Sequence, residues 1–161
     1  MSFLGYRRQN GSVGTRNYVG IISTVTCAND VTWWISQQVK GCTPFLHGQG
    51  CGQTKPDLDQ VTRTLISLGW NPNLAGVLVV SLGCESVLVD EIADGIARSG
   101  KPVEKVVIQK VGGAIAALSQ GSRLAQTMVA DASKMKREEF PDSELVLGVK
   151  CGRSEERRVG K

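Results

Sequence analysis

The chain has 161 residues, 41% hydrophobic and 21% charged, which fits one globular domain of ordinary core size. No apolar run reaches the roughly 18 residues of a membrane helix, and the start "MSFLGYRRQNGSVG" lacks the apolar stretch of a signal peptide, so a cytoplasmic location is expected. Half of the net charge of +4 sits in residues 153–161; without them 15 basic and 13 acidic residues remain, and with few aromatics and no basic helical stripe nucleic-acid binding is not expected.

Residues 1–16 read as a polar, glycine-rich lead-in. From residue 17 apolar runs alternate with helical stretches. "YVGIISTV" (18–25) is a buried-strand run, and "ANDVTWWISQQV" (28–39) a helix with Val31, Trp34, Ile35 and Val39 on its inward face. "TPFLH" (43–47) is a short second strand; "DLDQVTRTLISLGW" (57–70) is a helix with Asp57 as N-cap and Leu58, Val61, Leu65 and Leu68 as its stripe. After the turn "NPN" comes the strongest strand, 74–83, then a helix over 86–100, a strand over 103–109, a long helix over 114–135 and a fifth strand over 143–151. This alternation predicts a doubly wound parallel sheet of about five strands, Rossmann-like or flavodoxin-like, in three α/β/α layers and one domain over 17–152.

Ligands of such sheets bind beyond the carboxyl ends of the strands. There the sequence places Thr26 and Cys27 after strand one and His47, Gln49, Cys51 and Gln53 at strand two. Cys84 and Glu85 follow strand three, Gly112 and Gly113 follow strand four, and Cys151 ends strand five. Cys42, at the opposite end, is expected to be structural. The five cysteines lack CxxC spacing, so neither a disulfide framework nor a zinc ribbon is indicated, and "TCAND" after the first strand is not a dinucleotide fingerprint. His47 with thiols and Glu85 nearby suits a borderline metal such as Fe²⁺, Mn²⁺ or Zn²⁺, and the glycines of "FLHGQGCGQ" free backbone N–H groups to face an anion. The alternative is that these glycines only make turns and the cysteines only fill small spaces.

The stretches "FLGYRRQNGSVGTRN" (3–17), "HGQGCGQ" (47–53), "NPNLAGVLVVSLGCE" (71–85), "VGG" (111–113) and "LGVKCG" (147–152) resemble the altronate and galactarate dehydratase family of sugar-acid hydro-lyases, with sulfolactate sulfo-lyase as a close relative. The resemblance covers residues 3–152 and implies the large catalytic portion of such an enzyme. It implies a divalent cation, Fe²⁺ first and Mn²⁺ second, held by His47, Cys51 and Cys84. His47 would be a ligand or the base and Glu85 a ligand or proton carrier. Arg7 and Arg16 would clamp a carboxylate, with Cys27, Gln49, Gln53, Gly112 and Gly113 also against the substrate. An iron–sulfur hydro-lyase and a non-catalytic acidic-sugar binder are the rival readings. Met1 ahead of the first motif implies that the family's small β-rich domain is a separate subunit, and the complete enzyme is expected to be a homo-oligomer. The family continues its last motif as Cys-Gly-Gly-Ser-Asp, whereas Arg153 stands here. "RSEERRVGK" (153–161) resembles a translated sequencing adapter, so it is set aside as a non-native tail, with the rest of the catalytic portion expected to be missing and this chain inactive alone.

Overall fold

A computed structural model describes residues 1–150. The β-branched runs form the central layer. β3 (Tyr18–Ser23), β4 (Cys42–Phe45), β5 (Leu74–Ser81) and β6 (Val103–Val107) pair in parallel in the order β4-β3-β5-β6. β1 (Ser2–Arg7), β2 (Val13–Gly14) and β7 (Glu138–Pro141) form a separate antiparallel sheet with β1 in the middle. In β3 and β5 nearly every side chain is buried, as expected of strands covered on both faces.

α1 (Asn29–Gln38) and α4 (Ala114–Ser133) cover one face, where Val31, Ile35, Ala117 and Ala125 meet Val19, Ile21, Leu78 and Val80. α2 (Lys55–Gly69) and α3 (Val89–Ala97) cover the other, where Leu65, Ile92 and Ile96 meet Ile22, Val77 and Val79. The result is the expected three-layer α/β/α arrangement, with the flavodoxin-like strand order and its switch point beside β3. α2 and α3 approach through reciprocal glycines: a Cβ on Gly69 would stand 2.5 Å from Ile96, and one on Gly95 2.5 Å from Ile66. Among the described residues no helix is long and apolar enough to cross a membrane.

Four expectations change. Among the described residues no fifth parallel strand forms: Asp142–Glu144 is a 3-10 turn, residues 145–150 are irregular, and Val146, Leu147 and Val149 are exposed. After α4 the chain is taken up by β1 instead, with Phe3 opposite Phe140 and Gly5 opposite Glu138. Cys151 and residues 152–161 lie outside the described residues. The lead-in is a β1–β2 hairpin, closed by the Arg8 N–H on the Ser12 carbonyl at 2.8 Å. α2 starts earlier than expected: Thr54 is its N-cap residue, and Asp57, in the first turn, accepts the Thr54 hydroxyl at 2.6 Å. Trp34 is half-exposed, because α1 turns Val31, Ile35 and Val39 inward and leaves it on the flank.

The hairpin is fastened beneath the amino ends of the strands by Arg8, a buried cation with no carboxylate among its hydrogen-bond partners. Its Nε donates to the Pro72 carbonyl at 2.7 Å, and its terminal nitrogens donate to the Arg16 carbonyl at 2.9 Å and Asn17 Oδ1 at 2.8 Å. Nearby, the buried Lys101 ammonium donates to the Gly69 and Asn71 carbonyls; burial and the neighbouring Arg8 push its pKa down to about 8. Arg8→Ala strands three acceptors and is expected to cost about 2–3 kcal/mol in urea unfolding, with Arg8→Lys recovering only part because one ammonium cannot span the set. Wild-type stability in both variants would show that the hairpin is not held this way.

Candidate functional site

At the carboxyl edge, β3 runs into the buried pair Ser23 and Thr24. The Ser23 carbonyl lies 2.8 Å from His47 Nε2; a carbonyl only accepts, so Nε2 carries the hydrogen, and Nδ1 accepts the Gln49 N–H at 3.1 Å. Asn29, opening α1, completes the bracket: its Oδ1 accepts the Ser23 hydroxyl at 2.6 Å and its Nδ2 donates to the His47 carbonyl at 2.9 Å. The only imidazole of the chain is thus fixed in one tautomer and half-buried.

The glycines of the 47–53 loop serve close approach as well as turning. Gly50 has φ +106°, and a Cβ there would stand 2.2 Å from the Thr24 carbonyl oxygen. Its N–H donates to Gln53 Oε1 at 2.8 Å, its carbonyl accepts the Ser86 N–H at 3.1 Å, and Gln53 Nε2 donates to Gln49 Oε1 at 2.7 Å. The loop is therefore sewn to the ends of both β3 and β5. Gly52, at φ +68°, faces open space.

On the other side of β3, Glu85 accepts three hydrogen bonds. Its Oε1 accepts the hydroxyls of Thr24, at 2.5 Å, and Ser81; its Oε2 accepts the Gly83 N–H at 2.6 Å. Burial works to raise its pKa, but the hydrogen bonds from Ser81, Thr24 and backbone N–H groups outweigh it and hold the carboxyl below its ordinary value of 4.5. Glu85 is an ionised acceptor at neutral pH.

Cys27, Cys51 and Cys84 are exposed on three different loops of this edge, and Cys84 Sγ lies 3.5 Å from Gln109 Nε2. Cys42 is half-buried against the α1–α4 face of the core, and burial pushes its thiol up to about 11. Among the described residues no three His, Cys, Asp or Glu side chains gather as a metal requires. His47 and Cys51 on the loop after β4 and Cys84 on the loop after β5 are not gathered at one point among the described residues, so this set does not fit a divalent cation as these residues stand. Arg7 and Arg16 lie at the amino end of the sheet, with β3 between them and His47. Arg7 covers the Phe140 ring at 4.7 Å, and the Arg16 N–H donates to Asn73 Oδ1 at 3.0 Å. Gly112 and Gly113 open α4 with positive φ and free space around them, but they follow β6, three strand spacings or about 14 Å from β4.

Two hollows open here. A cleft of about 560 Å³ between β4 and α2 has His47 at its mouth; a smaller one of about 240 Å³ is lined by Glu85, Asp90 and Lys110. The sequence placed His47, Glu85 and the loop glutamines on this edge, where they lie, but did not single out Ser23, Thr24, Asn29 and Ser81, which hydrogen-bond to the imidazole loop and to Glu85. Their signal was present: "IIST" and "VVS" are apolar runs that end in hydroxyls.

The chain is a doubly wound α/β domain, and in such layers the crevice beyond the carboxyl ends of the strands, where this cleft and the fixed imidazole lie, is the usual place for a ligand. Residues 5–133 match the model of the D-galactarate dehydratase/altronate hydrolase family, second domain, and the chain belongs to that family. It is 39% identical over 154 residues to the (2R)-sulfolactate sulfo-lyase subunit beta of Chromohalobacter salexigens. It is 31% identical over 169 residues to altronate dehydratase of Bacillus subtilis and 30% over 174 to galactarate dehydratase (L-threo-forming) of Escherichia coli. Each match covers 96% of this chain, which spans only 39%, 33% and 33% of those relatives.

Gly50→Ala and Gly52→Ala separate the two uses of glycine. Each is expected to cost about 1–2 kcal/mol for the left-handed backbone, and Gly50→Ala about 1–3 kcal/mol more for its overlap with Thr24, as read by urea unfolding. Equal costs would show that the loop is not pinned at Gly50. Glu85 makes a pH prediction. Its carboxyl binds a proton less readily folded than unfolded, so its stabilisation is complete above 4.5 and is lost as pH falls through the lowered folded value. The acid limb of stability against pH should be shallower in Glu85→Gln than in wild type; superimposable limbs would contradict the network.

Proposed function

We propose that this chain is the second-domain portion of a lyase that takes the proton beside a carboxylate and expels the group on the next carbon, with a sugar acid as substrate and water as the leaving group. The observation that carries this is the family match over residues 5–133. In the reaction the C2–H bond breaks, its electron pair forms the C2–C3 double bond, and the C3–O bond breaks as hydroxide leaves, which with the proton taken from C2 makes one water. The enol then relaxes to a 2-keto-3-deoxy acid.

In this reading His47 is the base. The Nε2–H bond to Ser23 leaves the lone pair on Nδ1, and the 3.1 Å bond from Gln49 is the contact that a substrate proton replaces. Glu85 is a positioning residue that holds the β3 and β5 ends together through Thr24 and Ser81. Because the described residues do not fit a cation, no step is assigned to one. The exposed thiols suit a reducing, cytoplasmic setting, and a separate small subunit is part of the proposal, supported by the sulfo-lyase relative being named a beta subunit.

A second reading, sulfite elimination from sulfolactate, is favoured by the 39% identity against 31% and 30%. It uses the same C2 proton but breaks C3–S, giving sulfite and the enol of pyruvate. The test is to assay the complete gene product, with its small subunit, on altronate, galactarate and (2R)-sulfolactate, following keto-acid and sulfite release. Turnover of a sugar acid, lost in both His47→Ala and His47→Gln with folding intact, is the expected result. Sulfite release alone selects the second reading, and no turnover of any of the three overturns the lyase assignment.

A further inference from the structure

We propose that Gln49 is the group that meets the negative charge which elimination places on the substrate carboxylate, and that Gln53, behind it, is the positioning residue that sets which way Gln49 faces. This rests on the lyase reading and adds to it a protein partner for the carboxylate, which any substrate of that reaction carries. As the C2–H bond breaks, part of the charge left at C2 spreads onto the adjacent carboxylate, and donors aimed there stabilise it. Arg7 and Arg16 lie at the amino end of the sheet, and the cleft beside His47 is lined by Asp57 and by neither lysine nor arginine. A carboxylate at this mouth is therefore met by N–H groups.

The direction of the Gln49 amide follows from what each of its neighbours can do. The Gly50 N–H only donates, so the Gln53 atom that it meets at 2.8 Å is Oε1, and the other end of that amide is Nε2. Nε2 only donates in turn, so the Gln49 atom 2.7 Å away is Oε1. Both hydrogens of Gln49 Nε2 are thereby left to face outward at the mouth of the cleft, and among the described residues they have no protein partner. The backbone of Gln49 is fixed as well: its carbonyl accepts the Thr26 N–H at 3.2 Å, and its own N–H donates to His47 Nδ1 at 3.1 Å. Gln49 thus holds its donors beside the atom that takes the C2 proton. When the proton moves from C2 to Nδ1, that nitrogen stops accepting, and the Gln49 N–H is released to the nearest substrate oxygen. The charge arriving on the carboxylate then meets a backbone N–H and a side-chain amide together. A donor occupied by the base in the ground state and freed as the proton moves acts on the transition state more than on bound substrate.

The experiment compares wild type, Gln49→Ala and Gln53→Glu as complete gene products with their small subunit, on whichever of altronate, galactarate and (2R)-sulfolactate is turned over. Gln53→Glu still accepts the Gly50 N–H, so the loop stays pinned and the urea midpoint unchanged, but it cannot donate to Gln49. Gln49→Ala is expected to lower kcat about 100-fold with KM within about threefold, and Gln53→Glu to lower kcat about 10-fold. Wild-type kcat in either variant, or a loss carried by KM alone, overturns the proposal and leaves the lyase reading standing. A second measurement does not depend on turnover: altronate added to the ¹⁵N-labelled 161-residue chain is expected to shift the Gln49 side-chain amide signals in wild type and not in Gln53→Glu. An unmoved Gln49 amide, or the same shift in both chains, overturns the proposal. A complete enzyme that eliminates nothing while altronate moves Gln49 in wild type alone keeps the amide contact and removes the lyase.

Discussion

The Ser23 carbonyl and the Thr24 hydroxyl, one residue apart at the end of β3, take hold of His47 on one side and Glu85 on the other. They can do so because β3 is an inner strand held by β4 and β5 up to its end, where Ser23 still pairs with Val80 and the Thr24 N–H still reaches the Val80 carbonyl, which fixes the Ser23 carbonyl and the Thr24 hydroxyl that bond outward. The Gly50 backbone rests on the Thr24 carbonyl, the Thr26 N–H takes the Gln49 carbonyl at 3.2 Å, and Ser86 reaches back to Gly50 at 3.1 Å. Loops from β4 and β5 that share no sequence neighbourhood are thereby referred to one strand end. The imidazole and the carboxylate keep their separation because both are measured from β3.

The same economy explains why the domain has two ends of different character. Arg8 and Lys101 sit under the amino ends, each holding carbonyls at the turns that lead into the strands or leave α2. Their burial depresses both pKa values, as expected of cations with carbonyl partners and no carboxylate. Here the charges are architectural, locking the hairpin to the sheet. At the other end the carboxylate and imidazole lie in loops, half-exposed, and the backbone of the 47–53 loop is bent to admit them.

Much of this was legible in the sequence where the signal was local. The runs 18–25, 74–83 and 103–109 and the helices between them follow from period and composition, and the edge on which His47 and Glu85 meet follows from parallel topology alone. What escaped was non-local. β1 pairs with β7 across most of the chain, and nothing in "SFLGYR" announces a partner near Phe140. Nor did the expected fifth strand form, since an apolar run such as "LVLGV" becomes a strand only when a neighbour accepts its backbone, and among the described residues none does. The convergence of cysteines read as a ligand set was a convergence of loops; sharing an edge does not bring thiols to a common point. Arg7 and Arg16 could not be placed from sequence, because the hairpin that carries Arg7 and leads into Arg16 had not been foreseen.

The reciprocal fit of α2 on α3 reaches further than packing. With Gly69 against Ile96 and Gly95 against Ile66, and the Trp70 indole N–H on the Gly95 carbonyl at 2.9 Å, α2 is clamped at its far end and has no slack to tilt away from β4. The wall of the cleft is therefore stiff. That stiffness is set by one glycine on the flank of α2 that faces α3 and one on α3 itself, so it can change by substitution there without altering any residue that lines the cleft.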